Sequence, residues 1–108
     1  MTAAVNLTAA AERDLNDIFD WIAFNDPAQR ALKVLPGIQD VIDFLQEFPE
    51  RGVITPELQV LGIKQYRQVF YKPYRLIYSV IDQQVLVFLV ADGRRDMRTL
   101  LSQRLLRS

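Results

Sequence analysis

The 108-residue chain has no cysteine, which excludes disulfide scaffolds, thiol nucleophiles and thiolate metal sites together. It has no histidine either, so imidazole bases, Ser-His and Cys-His nucleophilic pairs and imidazole metal ligands are excluded as well. Glycine is scarce. The four present, Gly37, Gly52, Gly62 and Gly93, stand apart from one another, and no phosphate-cradling loop can be built from them. No serine lies in a nucleophile-elbow pattern. The longest unbroken apolar run, Val85 to Ala91, falls far short of the roughly 20 residues that span a bilayer. The first residues lack the basic segment and apolar core of a signal peptide, so the expected compartment is the cytoplasm, with no membrane partner. Repeats, low-complexity tracts and Gly/Ser linkers are also missing, and residues 1–108 read as one domain.

What is present is an ordinary globular balance, 50% hydrophobic and 24% charged, with the charge unevenly placed. Residues 1–63 carry four basic groups against ten acids, and residues 64–108 carry nine against three. The formal total of zero therefore hides an acidic first half and a basic second half, and the latter suits an anionic partner.

The apolar periodicity divides the chain in the same place. Residues 2–7 are short and semi-alternating, compatible with a first strand. Thr8 then precedes an alanine-rich start and predicts the cap of a helix. Ala11, Leu15, Ile18 and Ile22 form its apolar stripe, widened by Phe19. Asn25-Asp26-Pro27 predicts a turn and the start of a second helix. Val34, Leu35, Ile38, Val41, Ile42 and Leu45 continue that helix until Phe48-Pro49. Pro36-Gly37 lies within it, where an interior proline costs roughly 3 kcal/mol, so a kink or short break is expected. Two helices so briefly connected should pack as an antiparallel hairpin.

Beyond residue 63 the period changes to that of strands. Tyr66 to Tyr71 and Tyr74 to Ile81 read as strands separated at Lys72-Pro73, and Asp82-Gln83-Gln84 makes a tight connection to Val85–Ala91. That last strand is apolar on both faces, so the helical hairpin should cover one and the C-terminal segment part of the other. Met97, Leu100, Leu101 and Leu105 predict a closing helix. The expected fold is α+β, in the order β-αα-βββ-α, with a helical hairpin on a mostly antiparallel four-stranded sheet.

Three features could carry chemistry. Asp14, Asp17 and Asp20, and separately Asp40, Asp43 and Glu47, each line one side of a helix. That is how a solvated face looks, and a metal site needs acids converging from separate elements; no metal or cofactor is expected. Tyr66, Arg67, Phe70, Tyr71, Lys72, Tyr74, Arg75 and Tyr78 interleave rings and cations. They suit stacking on bases and neutralising phosphates, or equally the half-buried rings of ordinary strands. Arg94, Arg95 and Arg98 crowd the start of the last helix, where the backbone dipole disfavours cations. They either reach to acids of the helical hairpin or await an anionic partner. Arg104 and Arg107, near that helix's end, are electrostatically favoured where they are.

The ordered segments Asp14-Leu15-Asn16-Asp17-Ile18 with Trp21-Ile22, Asn25-Asp26-Pro27-Ala28, Phe48-Pro49-Glu50-Arg51-Gly52 and Pro56-Glu57-Leu58 with Leu61-Gly62 lead to the most specific pair. These are Tyr74-Arg75-Leu76-Ile77-Tyr78 and Gly93-Arg94-Arg95-Asp96. Over nearly the whole chain this set resembles the RelE/ParE superfamily of bacterial type II toxins. The resemblance implies an inhibitory protein held in check by an antitoxin, with an uninterrupted second helix from which Pro36-Gly37 departs.

RelE-like members resemble ribosome-dependent mRNA endonucleases that use clustered lysines, arginines and a C-terminal tyrosine. Arg75 and Arg95 match two of the arginines, but the lysine positions fall on Tyr66 and Gln68 and the tyrosine position falls near Leu101. An RNase here would rely on Arg75, Arg95 and Tyr66. ParE-like members resemble binding inhibitors of DNA gyrase with no required catalytic set, and this sequence is more similar to them. On that reading Arg94, Arg95, Arg98, Arg67 and Arg75 are the candidate contacts with target or antitoxin. The partners implied are a partly disordered ParD-like antitoxin, DNA gyrase and, through the antitoxin complex, operator DNA.

Overall fold

The structure is a computed structural model that describes residues 3–25 and 31–106. Strand β1 (Ala4–Leu7) leads into helix α1 (Ala9–Asn25), followed by helix α2 (Ala31–Glu47). A short strand β2 (Val53–Ile54) and one turn of helix α3 (Pro56–Gln59) come next. Strands β3 (Tyr66–Tyr71), β4 (Tyr74–Ile81) and β5 (Gln84–Asp92) complete a five-stranded sheet of order β1-β5-β4-β3-β2. Only β1 runs parallel to its neighbour, β5; the other pairings are antiparallel. Helix α4 (Met97–Leu101) passes into a π-helical turn, Ser102–Leu106.

The expected count of four strands is corrected to five, and α3 is an addition. A strand of two residues has no periodicity to read, and β2 exists because its pairing with Gln68 and Arg67 on β3 is reinforced from the side. The Arg67 guanidinium donates to the Gly52 carbonyl (2.7 Å) and the Glu50 carbonyl (3.3 Å), binding the approach to β2 onto β3. The buried Gly52 N–H donates to the Tyr78 hydroxyl at 2.9 Å. A Cβ at Gly52 would collide with that hydroxyl and with the Gln68 carbonyl, so the close approach requires glycine.

Helix α1 begins as its sequence predicts: Thr8 Oγ1 accepts from the Ala11 N–H at 3.0 Å. Its stripe of Ala11, Leu15, Ile18 and Ile22 joins Val34, Ile38, Ile42 and Leu45 of α2 in a core against the sheet. Phe19, expected to widen the stripe, is instead exposed. The turn and helix start expected at Asp26-Pro27 lie outside the described residues. Helix α2 is continuous through Pro36, so of the expected kink or short break the break does not occur. Gly37 has a tertiary reason: the Tyr71 ring lies where its Cβ would be, and the Tyr71 hydroxyl donates to the Lys33 carbonyl (3.3 Å).

The sheet separates two cores. Leu76, Tyr78, Val85, Val87 and Val90 face the helical hairpin, while Ile77, Leu89 and Ala91 pack with Leu58, Met97 and Leu101 on the opposite face. Register explains how β5 serves both. Tyr78 pairs with Val87 but Ile77 pairs with Leu89, leaving Phe88 as the extra residue of a bulge. The bulge reverses the alternation, so that Val87 and Val90 point to one side and Leu89 to the other. Asp82 and Gln83, both at positive φ, form the two-residue β4–β5 turn, as tight hairpins demand.

Candidate interaction site

On the sheet face beneath α3 and α4 lie Tyr66, Gln68 and Arg75, three positions that sequence resemblance brought together. Arg75 is buried and already engaged. Its two terminal nitrogens donate to the Glu57 carboxylate at 2.9 and 2.8 Å, and one of them also donates to Gln68 Oε1. This bidentate contact holds the Glu57 carboxyl below its ordinary range. Glu57 sits on α3, so the helical turn absent from the sequence reading supplies the counter-ion for the arginine that reading singled out. Tyr66 packs edge-on against Phe88, with ring centroids 5.3 Å apart, and Arg67 is occupied by the backbone carbonyls before β2.

The remaining arginines gather where β5 passes into α4. Asp92 accepts from the Arg94 backbone N–H (2.9 Å), its Nε (3.0 Å) and its Nη2 (2.6 Å), and this local fork holds the Asp92 carboxyl low. Asp96 caps α4, accepting from the Thr99 N–H at 3.2 Å and hydroxyl at 2.7 Å. Its carboxyl is likewise lowered, chiefly by Thr99. Arg95 and Arg98 are exposed, and their side chains have no hydrogen bond or ion pair among the described residues. Arg94, Arg95 and Arg98 thus do not reach the described acids of the helical hairpin; Arg104 does. Its guanidinium grips Asp14 at 2.8 and 2.9 Å and also donates to the Phe88 carbonyl (2.8 Å).

The Gly93 N–H donates to the Pro73 carbonyl at 2.7 Å. This bond ties the β5–α4 loop to the β3–β4 turn and brings Lys72 to the same end of the sheet as Arg94 and Arg95. No group of acids capable of holding a metal occurs among the described residues, and no described helix is long and apolar enough to cross a membrane.

Along the other edge, a groove of about 570 Å³ runs between α2 and β3, with Phe44, Val53, Phe70 and Tyr71 in its lining. Phe44 stacks tilted on Phe48 at 5.1 Å, and the Arg51 guanidinium lies over the Phe48 ring at 5.5 Å. Because β2 covers only Arg67 and Gln68, residues 69–71 of β3 have no strand beyond them among the described residues. Phe70 beside that free edge is half exposed. Alternation could have flagged β3 as a strand but not as one left partly uncovered, since that depends on the length of its neighbour.

Comparison with known proteins gives consistent matches. Residues 5–97 match the family model described as ParE toxin of type II toxin-antitoxin system, parDE. Toxin RelE1 of Caulobacter vibrioides is 29% identical over 82 residues, covering 75% of this chain and 87% of the relative. Among solved structures, a chain of the chromosomal ParDE TA system from P. aeruginosa superposes with a TM-score of 0.69 at 18% identity. That match covers 84% of this chain and 96% of the other, and it supports the fold.

Proposed function

The chain belongs to the ParE toxin family of type II toxin–antitoxin systems, and from that premise we propose that it inhibits DNA gyrase by binding and is neutralised by a ParD-like antitoxin. The observation that carries the choice of target is the commitment of Arg75. An mRNA endonuclease built on this sheet face would need that guanidinium for the scissile phosphate, but here Glu57 and Gln68 occupy both its terminal nitrogens. The neighbouring Tyr66 and Gln68 stand where lysines would be needed, and neither supplies a cation to stabilise developing charge. A binding inhibitor has no such requirement. Its cationic contacts are Arg94, Arg95 and Arg98, which project from the β5–α4 loop and α4, all exposed. Arg67 and Arg75 act instead as the framework that holds β2 and α3 on the sheet.

The antitoxin reading rests on the groove between α2 and β3. A segment that orders on binding can bury Phe44, Val53 and Phe70 there and pair with the free edge at residues 69–71. Operator binding is then a property of the toxin–antitoxin complex, supplied by the antitoxin.

The test is a supercoiling assay with purified gyrase, relaxed plasmid and titrated protein. The expected result is dose-dependent loss of supercoiling that antitoxin reverses. The triple variant R94A/R95A/R98A should need roughly tenfold more protein, as loss of several charge contacts implies, while keeping a wild-type melting profile. An unaffected gyrase, together with cleavage of translated messages after induction, would reverse the assignment in favour of the ribosome.

A further inference from the structure

A second cavity, of about 920 Å³, opens between the helical hairpin and the end of the sheet. That volume lies within the range of small-molecule sites. One wall is a face of α1, where Asp14, Asp17, Ile18 and Trp21 recur at helical spacing. The floor is apolar, with Val34 of α2 and Val90 of β5, both buried. Tyr71 and Tyr74, flanking the β3–β4 turn, supply aromatic surface opposite Trp21. Lys33, Lys72, Arg94 and Arg95 complete the lining.

The charges are unevenly committed. Asp14 is held by Arg104 and Asp92 by Arg94, so those two acids are neutralised within the protein. The side chains of Lys33, Lys72 and Arg95 have no hydrogen bond or ion pair among the described residues, and Asp17 is the one acid of the lining whose side chain is in the same condition. Three free cations and one free carboxylate therefore meet around an aromatic, apolar hollow. A long polyanion would also meet Asp17, and a wholly apolar ligand would leave the cations unanswered. A compact molecule with one anionic end, a flat ring and a hydrogen-bond donor matches all three.

We propose that this cavity binds a nucleoside monophosphate. The phosphate is met by Lys33, Lys72 and Arg95, the base lies against Trp21 and the tyrosine wall, and Asp17 accepts from an amino or ribose hydroxyl group. The site lies on the opposite face of the sheet from Arg75, and the proposal does not depend on which target the toxin inhibits.

The experiment is a titration of the full chain with adenosine and guanosine monophosphates, followed by amide and indole N–H resonances. Trp21 is the sole tryptophan, so its indole signal is a single local reporter. Saturable shifts of that signal and of the Lys72 and Gly93 amides are expected. The affinity should fall at least about tenfold in K33E/K72E, a variant altered at two exposed positions and checked for an unchanged circular dichroism spectrum. Absence of shifts up to about 10 mM, beyond the millimolar range of weak specific binding, would overturn the proposal. Equal binding of inorganic phosphate or of an acidic peptide would also overturn it, by showing an anion cradle with no base recognition. Unchanged affinity in the folded K33E/K72E variant would do the same.

Discussion

Arg75, a residue of the most specific sequence motif, is also tied into the fold by its own partner. A guanidinium buried in a sheet face is stable only with its charge answered, and Glu57 answers it bidentately from α3. Replacing Glu57 with Gln leaves a buried cation opposite a neutral amide, and we expect a loss of about 3 kcal/mol, the low end for breaking a buried pair because Glu57 is partly exposed and Gln still accepts one bond. The dependence on pH has a definite sign. The folded-state pKa of Glu57 is lowered, so the contribution is fully present above the unfolded value, about 4.3, and is lost as pH falls through the folded value. The gap in melting temperature between wild type and E57Q should be widest near neutrality and close on acidification below about pH 4. A gap that stays constant through that range would show that the ion pair contributes little.

At the scale of elements, the critical segment is β5 beyond the end of β1. Pairing with β1 stops at Val87, which would strand backbone groups of the next residues inside the protein. Side chains take over: the Phe88 carbonyl accepts from Arg104, and the Val90 N–H donates to Asp14 at 3.0 Å. Asp14 and Arg104 grip one another as well, so α1 and the C-terminal turn together stand in for a missing strand neighbour. Removing either partner exposes the other to an unanswered charge. D14A and R104A should each cost about 2–4 kcal/mol in urea unfolding, and the double variant should fall short of additivity by roughly 1 kcal/mol or more. Strict additivity would refute the coupled cap. Faster hydrogen exchange at the Val90 amide in D14A is the local sign of the same loss.

For the whole molecule, two cores on opposite sheet faces leave much apolar surface uncovered. Phe24 is 89% exposed, Leu32 72%, Trp21 61% and Phe70 52%. Scattered exposed apolar residues are ordinary, but those clustered in grooves mark binding surfaces. If the antitoxin occupies the groove between α2 and β3, complex formation should slow hydrogen exchange of the outward-facing amides within residues 69–71, whose edge β2 leaves open. It should also raise the melting temperature in proportion to affinity. Protection confined to the helical hairpin, with residues 69–71 unchanged, would place the antitoxin elsewhere. The charge asymmetry along the chain is partly resolved by folding, since the acidic α1 receives Arg104 from the basic half; the Arg95 and Arg98 side chains stay exposed with no ion pair among the described residues.

Local rules determined much of this protein before folding was considered. The stripe in α1, the Thr8 cap, the tight β4–β5 turn and the two-faced apolarity of β5 are periodic or nearest-neighbour signals, and the structure follows each. The ordered motifs likewise identified the toxin superfamily, because many weak matches at fixed spacing are jointly specific. What only the tertiary structure decided are relations between distant residues. β2 is too short to have a pattern and exists through Arg67. Pro36 sits in an unbroken helix whose neighbouring Gly37 admits Tyr71. Arg75 finds Glu57, and Arg104 finds Asp14 across nearly the length of the chain. Charge in a sequence says how many partners are needed, and only the packed chain says which of those partners it supplies itself.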